Sequence, residues 1–354
     1  MSTNHAATIP DRSSAPNTKS FQWLDVTLRL DGTMLRIPVH VVNGAHEGPT
    51  LTLTSGLHGS EWLPVEVFRR ALETLDTSAM SGRVLAIPVA NPQAFQHLTR
   101  NTPDESDEPD LNRDFPGGDT WLTVQIAREI TEQVLSRTDF LIDFHMGIWG
   151  SAMGEVGYTQ DLPDQTVSAK AAAMARSFGY PLVRRLNSMT GFPGPRSIGA
   201  YSGARLGIPA MSASVGGTGF DEKLEESWLD INVRGIRNVM MHLEMLDGTP
   251  DVPERYVTFQ GRGHRVVPTV GGYLHPLVPQ DSLMKEVAEG EVLGRVVSPY
   301  TFEELEVLRS PVRGVLFGVC RPHPVWPGYW AYFVAGLDAD GTQWVEGSRE
   351  GGGG

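Results

Sequence analysis

Three side chains in this sequence are spaced to hold one metal ion and leave it open to a reactant. His58 and Glu61 lie three apart in the loop Ser55-Gly56-Leu57-His58-Gly59-Ser60-Glu61, and His145 follows the apolar run Phe140–Phe144. Residues three apart in a turn or first helical turn can aim at one point. Imidazole nitrogen and carboxylate oxygen suit Zn²⁺. A catalytic zinc has three protein ligands and an open fourth position, whereas a structural one is closed. His-x-x-Glu alone is short and common, and a histidine at a strand end is usually a packed core residue. What points to a metal site here is the combination, with each histidine placed after a strand-like run.

A second set of residues has the chemistry of carboxylate recognition. Thr99-Arg100 precedes the acidic loop Asp104–Asp110, which runs into Asp110-Leu111-Asn112-Arg113-Asp114-Phe115-Pro116-Gly117. An adjacent amide and guanidinium fork suit a bidentate carboxylate. Most acids of the loop read as a solvated surface run, and an isolated arginine as a weak surface ion pair.

The elements that must position these groups follow from hydrophobic spacing. Leu24, Val26, Leu28 and Leu30 alternate onto one strand face, and Asp31-Gly32 signals a hairpin into Met34–Val42. Thr50–Thr54, Gly82–Val89, Phe140–Phe144 and Ile208–Val215 read as buried strands. Leu63–Leu75, Trp121–Leu135, Thr166–Phe178 and Glu222–Leu246 read as helices. Alternating strands and helices imply an α/β domain with a mostly parallel sheet, whose strand ends carry the site. Beyond Pro250 the segments are short, β-rich and broken by glycine and proline. The expected division is a polar N-terminal arm at 1–20, a catalytic domain at 21–250, a β-rich C-terminal domain at 251–345 and a flexible tail at 346–354.

Composition narrows the function classes. The 354 residues carry a net charge of −13, which argues against a nucleic-acid partner. Cys320 is the one cysteine, so an internal disulfide and a cysteine metal site are excluded. No signal-peptide core and no long apolar run occurs. A cytoplasmic location without a membrane partner is expected, with room for a homo-oligomer.

The ordered set His58-Gly59-Ser60-Glu61, Arg100, Asp110–Gly117 and Asp143-Phe144-His145 resembles the succinylglutamate desuccinylase/aspartoacylase family, a branch of the zinc carboxypeptidase-like fold. The similarity spans roughly 45–245. Gly290-Glu291-Val292-Leu293-Gly294 and Ser310-Pro311-Val312-Arg313-Gly314-Val315 are similar to hairpins of that family's C-terminal domain. The resemblance implies a carboxypeptidase-like mixed sheet flanked by helices, followed by a smaller all-β domain. It implies one Zn²⁺ per chain on His58, Glu61 and His145. Arg100 would stabilise the oxyanion, Asn112 and Arg113 would hold a substrate carboxylate, and Asp110 would orient His58. Asp143 shares a strand face with His145. The implied activity is zinc-dependent hydrolysis of a small N-acyl amino acid or a related carboxylate-bearing amide.

One position departs from the pattern. The family places its general base in Pro-x-x-x-x-Glu-x-Gly-Gly; here Pro209–Gly217 puts Ser214 at the glutamate. A serine hydroxyl is not a useful base at neutral pH and cannot supply the roughly 10²–10⁴-fold effect of such a group. Three explanations are open: a variant of lowered activity, another carboxylate entering the site, or a reaction that does without this base. Glu155, in the glycine-rich segment Gly147–Gly157, and Glu222 are the candidate carboxylates. Each has a plainer reading, as a solvated loop acid and as an acid at a helix start. The alternatives to hydrolysis are elimination or acyl transfer on the same metal, or a metal-dependent binder. Trp149, Tyr158, Phe192 and Tyr201 fall on expected loops near the ligands, with Arg196 and Arg205 as further anion-binding candidates.

Overall fold

Runs of aliphatic and β-branched residues form the middle of one large mixed sheet. The protein is described by a computed structural model covering residues 15–103, 109–148, 150–337 and 341–346. The first nine strands are β1 Thr18–Leu28, β2 Met34–Asn43, β3 His46–Thr54, β4 Ser81–Ile87, β5 Phe140–His145, β6 Ser151–Thr159, β7 Leu182–Leu186, β8 Ala210–Gly217 and β9 Arg255–Gln260. The helices are α1 Leu63–Thr74, α2 Pro92–His97, α3 Leu122–Glu129, α4 Gln165–Ser177, α5 Ile198–Tyr201 and α6 Glu222–His242. The C-terminal region adds β10 His264–Val266, β11 Gly272–Pro276, β12 Glu286–Val287, β13 Val292–Val297, β14 Glu304–Arg309, β15 Gly314–Cys320, β16 His323–Val325, β17 Tyr332–Gly336 and β18 Gln343–Glu346.

The large sheet runs β1-β2-β4-β3-β5-β8-β6-β15-β17-β10, and β7 and β9 extend it from β6. Its centre, β4-β3-β5-β8, is parallel, while β2 on β4 and β6 on β8 are antiparallel. The sheet is therefore mixed, with the expected parallel arrangement confined to its middle. A second sheet, β14-β13-β11-β16, lies wholly in the C-terminal region. That region is also joined to the large sheet: β15 pairs with β6 through Gly318–Met153, and β9 with β7 through Val183–Thr258. Among the described residues no helix follows Pro250, and none is long and apolar enough to cross a membrane.

Alternation along the strands divides the molecule. Leu51, Leu53, Ile142, Phe144, Met211, Ala213 and Val215 enter a core shared with α1, α4 and α6. Burying each large aliphatic chain stabilises by about 1.5–3 kcal/mol. The other face packs Leu85, Ile87, Leu141 and Ala210 against α3 and α5. Towards the carboxyl ends of the strands this second face turns polar, with Asp143, His145, Ser212 and Ser214, and opens onto a cavity.

The departures from expectation have local causes. β1 begins at Thr18, inside the stretch expected as an arm. Only Leu24 and Val26 of the expected apolar face are buried; Leu28 and Leu30 are exposed. A register shift between Asp25 and Thr27 and the edge position of β1 remove Leu28 from the core, and Leu30 lies past the end of β1 in the hairpin turn. The helix expected to reach Leu246 stops at His242, and Glu244 adopts φ +57°. Gly147–Gly157, expected as a loop, instead contributes β6, a strand inside the sheet. The expected C-terminal glycine tail lies outside the described residues.

Candidate metal centre and its cavity

β3 delivers His58 and Glu61 in the turn that follows it. The amide of Glu61 donates to the carbonyl of His58 at 3.1 Å, which closes the turn and brings both side chains to one side. Gly59 makes the turn fit: a Cβ there would lie 1.9 Å from the carbonyl carbon of Ala94 on α2. β5, paired in parallel with β3, ends at His145. The ring centroids of the two histidines are 5.2 Å apart.

Glu61 bridges the pair. Its Oε1 lies 2.8 Å from Nδ1 of His58 and its Oε2 lies 2.7 Å from Nδ1 of His145. Each outer nitrogen faces another carboxylate. Nε2 of His58 is 3.0 Å from Asp110 Oδ1, and Nε2 of His145 is 2.9 Å from Asp143 Oδ2. A carboxylate accepts here, so each Nε2 carries the proton, and Nδ1 is the nitrogen turned inward. Asp143 is fixed in turn by Thr54, whose hydroxyl donates at 2.8 Å. Asp110 also accepts from the amide of Asn112 at 2.9 Å and from Nη2 of Arg100 at 3.2 Å.

This donor set fits a divalent cation. One ligand atom each from His58, Glu61 and His145 lie within 4.8 Å of one another. Both Nδ1 atoms face the Glu61 carboxylate across the place a cation would take. Burial alone would raise the pKa of Glu61, but the charges and hydrogen bonds of His58 and His145 outweigh it and hold the carboxyl well below its usual range. Burial opposes a charge on His145, yet Asp143 and Glu61 together push its pKa well up. Asp110 is likewise held low, against its burial, by the hydrogen bond and charge of His58 and then by Arg100 and Arg113. Metal-ligating histidines characteristically donate their other nitrogen to such carboxylates.

A cavity of about 500 Å³ opens over this group. His58, Glu61, His145, Arg100, Asn112 and Arg113 line it, so the structure brings these expected residues together, with Asp110 behind His58. Asn112 sits in the one-turn 3₁₀ helix Leu111–Arg113; its Oδ1 accepts from the amide of Ile198 at 2.9 Å and its Nδ2 lies 3.3 Å from Nε2 of His145. Burial first, then the charges of Arg100 and Arg262, lower the pKa of Arg113 despite the opposing charge of Asp110. Phe192 stands among three guanidiniums, 5.4 Å from Arg113, 5.7 Å from Arg184 and 4.6 Å from Arg262. Arg184, Arg262, Tyr329, Trp330 and Phe333 line the cavity and were not anticipated. Arg262 stands between two glycines after β9, which reads only as a turn in sequence.

Ser214 lies on β8 beside the metal group, in register with His145 on one side and Glu155 on the other. Glu155 is a buried strand residue and not a loop acid. Its Oε1 accepts from Nη1 of Arg184 at 2.8 Å, and its Oε2 has no hydrogen-bond partner among the described residues. Glu222 is exposed at the start of α6 and does not line the cavity. Tyr158 and Phe192 line it, though Tyr158 stands on β6 and not on a loop. Tyr201 packs on the second core; Arg196 binds Asp114 and Phe115; neither these nor Arg205 reaches the cavity. Trp149 lies outside the described residues.

Residues 47–243 match the model of the succinylglutamate desuccinylase/aspartoacylase catalytic domain. An N-alpha-acetyl-L-2,4-diaminobutyric acid deacetylase from Halomonas elongata is 29% identical over 266 residues, 73% of each chain. A succinylglutamate desuccinylase structure from Silicibacter superposes with a TM-score of 0.78 at 23% identity, over 94% of this chain and 99% of that one. The product-bound ectoine utilization protein EutE (DoeB) from Ruegeria pomeroyi gives 0.75 at 24%, over 91% and 97%. These structural likenesses establish the shared fold.

Proposed function

The chain belongs to the succinylglutamate desuccinylase/aspartoacylase family, and on that premise we propose that it is a zinc-dependent deacylase that hydrolyses the amide of a small N-acyl amino acid or related carboxylate-bearing amide. The observation that carries this is the convergence of His58, Glu61 and His145, with Asp110 and Asp143 behind them, on the floor of a cavity lined by Arg100, Asn112 and Arg113. Zinc bound there would polarise the acyl carbonyl and acidify water.

The chain's own side chains supply the rest. Asp110 and Asp143 hold the imidazoles in one tautomer, with Nδ1 free for the cation. Arg100 Nη1 lies 3.5 Å from Glu61 Oε1, a position that supports a role as positive charge for the developing oxyanion. Arg113 and Asn112 take the substrate carboxylate and so orient the amide. The Halomonas relative is named for an N-acetylated diamino acid, a substrate of the same general build.

The test is a panel of N-acyl amino acids turned over by zinc-loaded protein in heavy-oxygen water, with products weighed by mass spectrometry. One heavy oxygen in the released carboxylate is expected. Turnover without label would replace hydrolysis by elimination or acyl transfer. Saturable binding without turnover would support the reading that Ser214 favours, a metal-dependent binder without a base.

A further inference from the structure

We propose that Glu155 is the proton acceptor of this deacylation, acting from the neighbouring strand across Ser214. The inference rests on the deacylase reading and names a group which that reading lacks. Ser214 pairs with His145 on β5 and with Glu155 on β6, so the three form one lateral row on the cavity face. Directly opposed residues have Cβ atoms about 4.5–5.5 Å apart, a span that a glutamate side chain covers.

The other carboxylates of the site are committed. Glu61 lies between two histidines, Asp143 holds Thr54 and His145, and Asp110 holds His58, Arg100 and the amide of Asn112. Among the described residues, Glu155 alone of these carboxylates keeps an oxygen, Oε2, without a partner, although its side chain is nine-tenths buried. A buried acceptor left unsatisfied costs about 1–3 kcal/mol, which is explained when the Ser214 hydroxyl turns to Oε2 as the attacking water engages the serine oxygen.

Arg184 sets this up. It stands on β7 opposite Gly157, which brings no side chain to that row, and its guanidinium reaches Glu155 Oε1. The carbonyl of Gly261 and the rings of Phe192, Phe259 and Phe317 fix it there. One carboxylate oxygen is thus held and the other left for chemistry. Ser214 donates and accepts at once. As water attacks the acyl carbon, its proton passes to the Ser214 oxygen while the serine proton passes to Glu155. When the C–N bond breaks, the proton returns by the same route to the leaving nitrogen, giving carboxylic acid and amine.

Glu155→Gln tests this, because the amide oxygen still accepts from Arg184. We expect kcat to fall by about 10²–10⁴-fold, while zinc content and calorimetric affinity for the amino-acid product stay within about threefold of the parent. Ser214→Glu added to Glu155→Gln puts a carboxylate back on β8 and should recover at least about tenfold of the loss. The parent is measured first: no release from any panel member rejects the deacylase reading and this inference with it. An active parent with an undiminished Glu155→Gln variant rejects this inference alone. Loss of zinc and product affinity in step with kcat also rejects it, since that marks a structural pair.

Discussion

The two sides of the cavity are built on different terms. On the side of β3 and β5, every carboxylate at the metal group has a partner on both oxygens: Glu61 with His58 and His145, Asp143 with Thr54 and His145, Asp110 with His58 and Arg100. On the side of β8, β6 and β7, Ser214 is short and Glu155 keeps one oxygen unpaired among the described residues. The first side is preorganised before any ligand arrives. The second keeps an acceptor that no group among the described residues fills. Preorganisation suits metal affinity, which depends on fixed ligand geometry. An open acceptor suits a group that must take up a proton during the reaction.

The contrast can be broken most forcefully at the ligands. His145→Ala should remove zinc retention, lowering affinity by more than the about 10–100-fold that outer partners are worth; equilibrium dialysis with metal analysis measures this. Retained affinity would mean that the cation sits elsewhere. Next come the outer carboxylates. Asp110→Asn and Asp143→Asn should each weaken zinc by about 10–100-fold with the fold intact, and unchanged binding would show the closed network to be packing alone. Arg113→Lys belongs to substrate orientation. Loss of a charged hydrogen bond, about 1.5–3 kcal/mol, should raise KM about tenfold or more, with kcat far less affected. A collapse of kcat at constant KM would move Arg113 into the reacting centre.

Glu66→Gln, on the outer surface of α1, calibrates the rest. Hydrogen bonds from Arg69 and then Arg70 hold its carboxyl down to about 2. A depressed carboxylate stabilises the fold above its unfolded pKa, about 4.3, and that contribution fades as pH falls towards 2. Being a surface pair, it is worth below about 1 kcal/mol at neutral pH. Urea midpoints of parent and variant should therefore differ slightly at neutral pH and converge in acid. A larger gap would mean that surface pairs matter more here than the buried ones do.

The sequence made one side of the cavity more legible than the other. His58, Glu61 and His145 follow apolar strands, and the residues between His58 and Glu61 are few, so a local pattern sufficed. β6 was hidden because its cavity face carries Met153, Glu155, Gly157 and Thr159. Polar and glycine residues at alternate positions imitate a loop when they line a hollow and not a core. Leu28 and Leu30 failed in the opposite sense: they are apolar and alternate, but Leu28 ends an edge strand and Leu30 falls in the turn beyond it, where neither has anything to pack on. Arg184 and Arg262 carry no local signal at all, since their place beside Phe192 is set by pairings far apart in sequence.

The joining of β15 to β6 has a consequence for how the chain can be cut. Residues 47–243 match the family's catalytic model, yet that stretch alone would lose β2 from β4 and β15 from β6. Both flanks would then present unpaired backbone, the kind of edge that recruits other strands and drives aggregation. The likeness to the catalytic model stops at Leu243, but the hydrogen-bonded sheet takes its last described strand only with β18, which ends at Glu346. A nascent chain released before that point would carry all three candidate metal ligands on an unfinished sheet.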